Sequence, residues 1–384
     1  MFTMSLITTT NALAKACKVL AKNDYLTIDT EFLRERTYYP KLCLVQLAGP
    51  GIDPVAVDPL AKGIDLKPLY DLMADKSVIK VFHAARQDLE IFYNLTGTIP
   101  TPLFDTQVAA MVCGYGEQVG YGPLVQDICN VQIDKGAQFT DWSRRPLSDR
   151  QLSYALSDVT HLRDVYTHLV SQLEKQKRKE WVLEEMEVLT NPDTYRNPPE
   201  DAWQRIKIRT NKPRVLAILK EVAAWREAEA QRRDIPRGRV FRDETLADIA
   251  IHPPKSPKDL EKIRSMPKDI AHGKHGQAIL KAVDKGLSIK SVPVVENKKR
   301  LPQEMGPTLE MLKMLLRIQS SEHGVAAKLI ANSDDLQEIA MDDKANVMAL
   351  KGWRRKVFGD EALLLKSGKL ALGIKKNKIH KIKL

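Results

Sequence analysis

Cysteine is scarce, with four in 384 residues. Cys17, Cys43, Cys113 and Cys129 are scattered and form no C-x-x-C pair. A disulfide framework is therefore not expected, and four free thiols suit a reducing, cytoplasmic setting. No run of about 18 apolar residues occurs, which argues against a membrane span. Residues Met1–Thr10 hold no basic stretch, which argues against a secretory signal. No G-x-x-x-x-G-K-[ST] loop is present, so a P-loop nucleotide site is not expected.

What is present is length and an uneven charge. A chain of 384 residues is too long for one ordinary core and predicts two or three domains. The net charge is +11. Residues 1–190 carry 20 basic and 24 acidic side chains, a net −4, whereas residues 191–384 carry a net +15. A basic half suits a polyanion, because neutralising phosphates releases counterions. Lysine-rich helices that merely keep a protein soluble would look the same.

The front half reads as α/β with a mixed sheet. Asn11–Ala21 is patterned as a helix. Tyr25–Leu33, Leu42–Leu47 and Val55–Asp58 read as strands, the last two parted by the turn signal Gly49-Pro50-Gly51. Short connections suggest an antiparallel meander. Val78–Phe82 is a further strand, feeding a helix from about Ala84 to Tyr93. Asp105 is placed to cap a helix over Thr106–Cys113. Leu147–Leu173 is mostly helical. Asn191–Glu200 holds Pro192, Pro198 and Pro199 where the charge changes sign, and marks a linker. Beyond it nearly everything reads as helix. A second Pro-rich stretch contains Lys298-Lys299-Arg300, and the basic tail Lys375–Leu384 is expected to fray.

Three short patterns carry possible chemistry. Side chains alternate along a strand, so Asp29 and Glu31 share one face. Two carboxylates on a largely apolar strand are costly to bury unless neutralised, and hard oxygen ligands suit Mg²⁺ or Mn²⁺. An edge strand with two solvated acids fits this pattern equally well. Asp88 sits in the first turns of a helix, where a negative charge is favourable in any case. Tyr154 and Asp158 lie four apart on a helix and so stack on one face. Alone, that pair reads more simply as an exposed acid beside a half-buried ring.

The combination and order of these patterns is specific. Asp29-x-Glu31 on a first strand, Asp88 midway, then Tyr154-x-x-x-Asp158 resembles the three motifs of the DEDD exonuclease superfamily, tyrosine branch. The flanking segments are similar to the ribonuclease D family. They include Asp29-Thr30-Glu31-Phe32, Tyr39–Gln46, His83–Asp88, Phe104–Gln107 and Asp141–Leu147. The resemblance covers roughly residues 20–175, with no departure at the five motif positions. Residues 204–288 resemble an HRDC module, through Pro213–Arg232, Ile235–Asp243 and Leu246–Ala250. The expected fold is a ribonuclease H-like mixed-sheet exonuclease domain followed by two small all-α HRDC-like domains. The expected boundaries are 1–190 for the exonuclease, 191–204 and 289–306 for linkers, and 205–288 and 307–384 for the helical domains.

The resemblance implies a 3′→5′ exoribonuclease that releases 5′-mononucleotides from RNA 3′-hydroxyl ends, with tRNA precursors as substrate. It implies two divalent ions, Mg²⁺ or Mn²⁺, held by Asp29, Glu31, Asp88 and Asp158, with Tyr154 orienting the attacking water. Arg145 is a candidate phosphate contact and Trp142 a candidate base or sugar contact, although Trp142 reads better as a core anchor. A monomer without membrane attachment is expected. A DNA exonuclease and a non-catalytic RNA-binding adaptor are the competing readings. The intact set of five motif residues speaks against the adaptor.

Overall fold

The computed structural model describes residues 5–134, 136–289 and 301–384. The chain divides into two compact units. One comprises Met1–Glu31, Cys43–Thr194 and Lys299–Leu384; the other comprises Phe32–Leu42 and Tyr195–Lys298. Lys298-Lys299-Arg300 and most of the predicted linker 289–306 lie outside the described residues.

The first unit is built on a six-stranded mixed sheet. Its strands are β1 Ser5–Ile7, β2 Tyr25–Leu33, β3 Lys41–Ala48, β4 Val55–Val57, β5 Ile79–Phe82 and β6 Leu103–Asp105, in spatial order β1-β4-β3-β2-β5-β6. β3 and β4 pair antiparallel, with Val45 opposite Val57. β2 and β5 pair parallel, with Tyr25 opposite Ile79, and β5 and β6 also run parallel. The three strands of the predicted meander, β2, β3 and β4, are successive neighbours in the sheet, and β3 and β4 are antiparallel. β1 and β6, three residues each, are too short to show a period of two in the sequence.

The helices of this part are α1 Thr10–Leu20, α2 Lys67–Ala74, α3 Arg86–Thr96, α4 Thr106–Cys113, α5 Tyr121–Cys129, α6 Asp149–Gln176 and α7 Lys179–Leu189. α6 opens on a capping box. The Ser148 side chain accepts from the Gln151 backbone, and the Gln151 side chain accepts from the Ser148 backbone. Leu152, Ala155, Leu156, Val159, Leu162, Val165, Leu169 and Leu173 form its buried stripe.

Residues 301–384 belong to the same unit. They form a helical bundle around Leu312, Leu315, Ile339, Trp353 and Phe358. It is fastened to the sheet-bearing part by buried polar contacts. Arg354 Nη2 donates to Glu185 Oε2 at 2.6 Å, and Trp353 Nε1 donates to Glu185 Oε1 at 3.1 Å. The Trp353 ring stacks on Trp181 with centroids 4.6 Å apart. Ala326 N donates to Met111 O at 3.0 Å. This bundle is not all-α: it ends in an antiparallel hairpin, β7 Leu370–Lys375 and β8 Lys378–Lys383.

The second unit is helical, centred on α8 Pro213–Arg233 and the helix Lys274–Ser288. Its core begins earlier than predicted. Ala202, Trp203 and Ile206 are buried with Leu216, Leu219 and Val222, so the expected linker 191–204 runs into the core. Proline and acidic residues around Trp203 leave no apolar period to read. The unit also takes in the connection after β2. Tyr38 packs on its core, and the Tyr38 hydroxyl donates to Glu227 Oε1 at 2.5 Å. Asp234 Oδ1 accepts from the Tyr38 and Tyr39 backbones, each at 3.0 Å.

Candidate active site

β2 supplies the first two acids. Leu26 and Ile28 are fully buried, while Asp29 and Glu31 are half-buried. Thr27, on the same strand face as the acids, is fully buried. Its hydroxyl reaches Val159 O of α6 at 2.8 Å. That bond ties β2 to the α6 turn that carries Asp158, with Tyr154 one turn before it. Carboxylate oxygens of Asp29, Glu31 and Asp158 all lie within 4.8 Å of one another, and they are the one such cluster found among the described residues.

Asp88, on the first turn of α3, is 7% exposed. It accepts a short hydrogen bond from the Thr30 hydroxyl. Asp88 is not part of the cluster of three, but its charge bears on Glu31 and is itself acted on by Asp29. Tyr154 hydrogen-bonds to Asp158. Since the carboxylate can only accept, the phenol donates.

The electrostatics are those of acids without a counter-charge. Burial pushes Asp29 up to about 7. Burial and then Asp29 raise Asp158 to about 8, against the pull of the Tyr154 hydroxyl. Glu31, buried and facing Asp29, Asp158 and Asp88, reaches about 10. Burial and Asp29 also hold Asp88 well above the usual carboxylate range. The Tyr154 hydroxyl moves up through burial and then Asp158, so it is a proton donor here and a poor base. Four oxygen-donor side chains that repel one another fit divalent cations, whose charge would replace the missing counter-ion.

These shifts fix a pH response for the metal-free protein. Asp29 and Asp158 bind protons more tightly folded than unfolded, so their contribution is fully present below about pH 4. It is lost as the pH rises through about 7 and 8. In chelator, the melting temperature should fall from pH 5 to pH 8, and saturating divalent metal should flatten the trend. A melting temperature in chelator that rises over that range would contradict the reading.

Arg145 is placed differently from the expected phosphate contact, whereas Trp142 is buried as the core anchor it reads as. Arg145 Nε and Nη2 donate to the two oxygens of Asp58 at 2.7 and 2.6 Å, and Nη2 also reaches Cys43 O at 2.7 Å. Arg145 Nη1 donates to Trp142 O and Arg144 O, each at 2.8 Å. Its fork is committed to locking the loop before α6 onto β3, which leaves no donor for a phosphate. Trp142 is 3% exposed, with its ring 6.2 Å from the Tyr154 ring. It backs the tyrosine from inside the fold.

One functional residue goes beyond its predicted role. Asp105 caps α4, accepting from the Gln107 and Val108 backbones. It also accepts from Ala84 N at 3.1 Å and Ala85 N at 2.8 Å. Ala84 is held at φ 58°, a left-handed conformation costly for alanine. Asp105 therefore sets the turn from β5 into α3, three residues ahead of Asp88. Its capping signal is local in sequence, whereas this second contact spans 21 residues.

Comparison with known proteins agrees with this geometry. Residues 4–174 match the model of a 3′-5′ exonuclease domain, and residues 215–283 match that of the HRDC domain. Ribonuclease D of Nitrobacter hamburgensis is 54% identical over 99% of both chains. The chain belongs to the ribonuclease D family. It is thus a 3′→5′ exoribonuclease with a metal-dependent exonuclease domain. Ribonuclease D of Jannaschia sp. is 49% identical over 97% of this chain and 98% of its own. The crystal structure of Escherichia coli RNase D, described as an exoribonuclease involved in structured RNA processing, shares 31% identity. It superposes with a TM-score of 0.82, covering 94% of this chain and 99% of that one. No helix among the described residues is long and apolar enough to cross a membrane.

Proposed function

We propose that this exoribonuclease trims the 3′-hydroxyl ends of tRNA precursors, using two divalent ions held by Asp29, Glu31, Asp88 and Asp158. The observation that carries the reading is the cluster of Asp29, Glu31 and Asp158 oxygens within 4.8 Å, half-buried, with no cation among the described residues acting on it. Asp29, Glu31 and Asp158 would hold one ion, and Asp88 would help to hold the other. When bound, such ions stabilise the attacking and leaving oxygens of a phosphodiester and acidify a water.

The chain's own residues do the rest. The Thr30 hydroxyl fixes the Asp88 carboxylate, and Thr27 fixes the strand against α6. Tyr154, backed by Trp142, gives its hydroxyl proton to Asp158, and its oxygen is left to accept from and orient a water in the site. The product is a 5′-mononucleotide.

Matched RNA and DNA oligonucleotides with 3′-hydroxyl ends, labelled at the 5′ end, test the reading with Mg²⁺, Mn²⁺ or chelator. RNA should shorten as a ladder from its 3′ end with either metal and stay intact in chelator. A ladder on DNA alone would overturn the substrate assignment. RNA hydrolysis that persists in chelator would overturn the metal assignment.

A further inference from the structure

After Glu361 the chain holds seven lysines and His380, and no aspartate or glutamate. The sequence predicts a frayed basic tail here, but the structure forms a ribbon. β7 and β8 pair from Leu370 opposite Lys383 to Lys375 opposite Lys378. Lys376 and Asn377 make the two-residue turn, at φ 51° and 59°. Positive φ at both central residues suits the right-handed twist of a hairpin.

The ribbon is rooted at its base. Leu370 is 3% exposed in the core of the bundle, and Leu372 packs against that core. Lys381 Nζ reaches Glu322 at 2.6 Å and Glu361 at 3.0 Å. The outer end is different. Ile374 and Ile379 face each other across the ladder and are 79% and 39% exposed. Lys369, Lys375, Lys376 and Lys383 are exposed, and among the described residues none forms an ion pair. A face that served only for solubility would carry polar residues between its lysines. Here each face of the ribbon carries both lysine and exposed isoleucine, Ile374 and Ile379 with Lys383 on one and Ile382 with Lys375 on the other.

We infer that this ribbon is a docking surface for the phosphodiester backbone of the RNA substrate, at a distance from the 3′ end being cleaved. The inference rests on the exoribonuclease reading, which already brings a polyanion to the chain. Lysines are point charges that hold phosphates without reading bases, and the isoleucines offer apolar contact to sugars. The surface should therefore add affinity for long or structured RNA and leave the chemical step alone. An acidic protein would be the competing occupant.

The test uses the full-length chain with Lys375→Gln, Lys376→Asn and Lys383→Gln combined, asparagine being chosen because it tolerates positive φ. A second variant, Lys375→Arg with Lys383→Arg, keeps the charge. Binding of a hairpin RNA with a single-stranded 3′ tail is followed by anisotropy in chelator across a salt series. Turnover of a short single-stranded RNA is measured alongside. The neutral variant should bind the hairpin RNA about tenfold more weakly, and its log–log salt slope should fall by roughly 2 to 3. The arginine variant should bind like the wild type, and kcat on the short RNA should not change in either. Unchanged affinity and slope in the neutral variant would overturn the inference and point to an acidic protein. Equal loss in both variants would also overturn it, because shape and not charge would then be at work. Failure of the wild type to degrade the short RNA would instead sink the exoribonuclease reading, so the two failures are distinguishable.

Discussion

Asp29→Asn yields a folded chain that no longer degrades RNA. Asparagine nearly keeps the volume of aspartate but removes the charge that the cluster shares. Stabilisation of a phosphoryl transition state by bound metal amounts to several kcal/mol, and each 1.36 kcal/mol is tenfold in rate. Turnover should therefore drop by a factor on the order of 10³ or more. The fold should not suffer. Asp29 is held near 7 by burial, and it raises Glu31, Asp88 and Asp158 in turn. Neutralising it relieves all three, so the metal-free variant should melt no lower than the wild type at pH 8. Kinetics and a melting curve on one preparation check both halves. Activity within tenfold of wild type would remove Asp29 from the mechanism.

Arg354→Met strips the C-terminal bundle of its anchor. Arg354 and Glu185 are each 7% exposed, and Arg354 Nε also reaches Leu329 O at 2.8 Å. Burial already raises Glu185 above its ordinary value despite the arginine. Without the guanidinium, a buried carboxylate is left with Trp353 Nε1 alone. Breaking such a pair costs about 3–5 kcal/mol. An exposed pair such as Lys67–Asp71 contributes about 0–1 kcal/mol. Denaturant unfolding of Arg354→Met beside Lys67→Ala should show that contrast, with early proteolysis in residues 301–384 of the first variant. Equal stability of the two variants would show that the buried pair does not anchor the bundle.

The sequence makes some features of this protein readable and hides others, for physical reasons. β2 and α6 are long enough for their periods to show, and the positions of Asp29, Glu31, Tyr154 and Asp158 follow from those periods. The Ser148 and Asp105 caps are local signals and are legible too. Contacts distant in sequence are not. The bond from Thr27 to Val159 spans 132 positions, and Arg354 meets Glu185 across 169. Neither residue type announces its partner. Arg145 looks like a phosphate ligand from its neighbourhood, because nothing nearby reveals Asp58, 87 positions earlier. The boundary near residue 205 fails for the same reason: Trp203 belongs to a core whose other members follow it. Cutting the chain there would also uncover Glu185 and Tyr38, so truncation is a poor probe of the helical parts. Point substitutions on the intact chain serve better.

The most direct test of the metal site counts ions. Free Mn²⁺ can be followed by electron paramagnetic resonance as it is titrated into the metal-free full-length protein, beside Asp29→Asn. The proposed two-ion site predicts two ions bound per wild-type chain, with loss of one or both in the variant. No specific binding by the wild type, or identical binding by the two proteins, would contradict the assignment of Asp29, Glu31, Asp88 and Asp158 as the metal site.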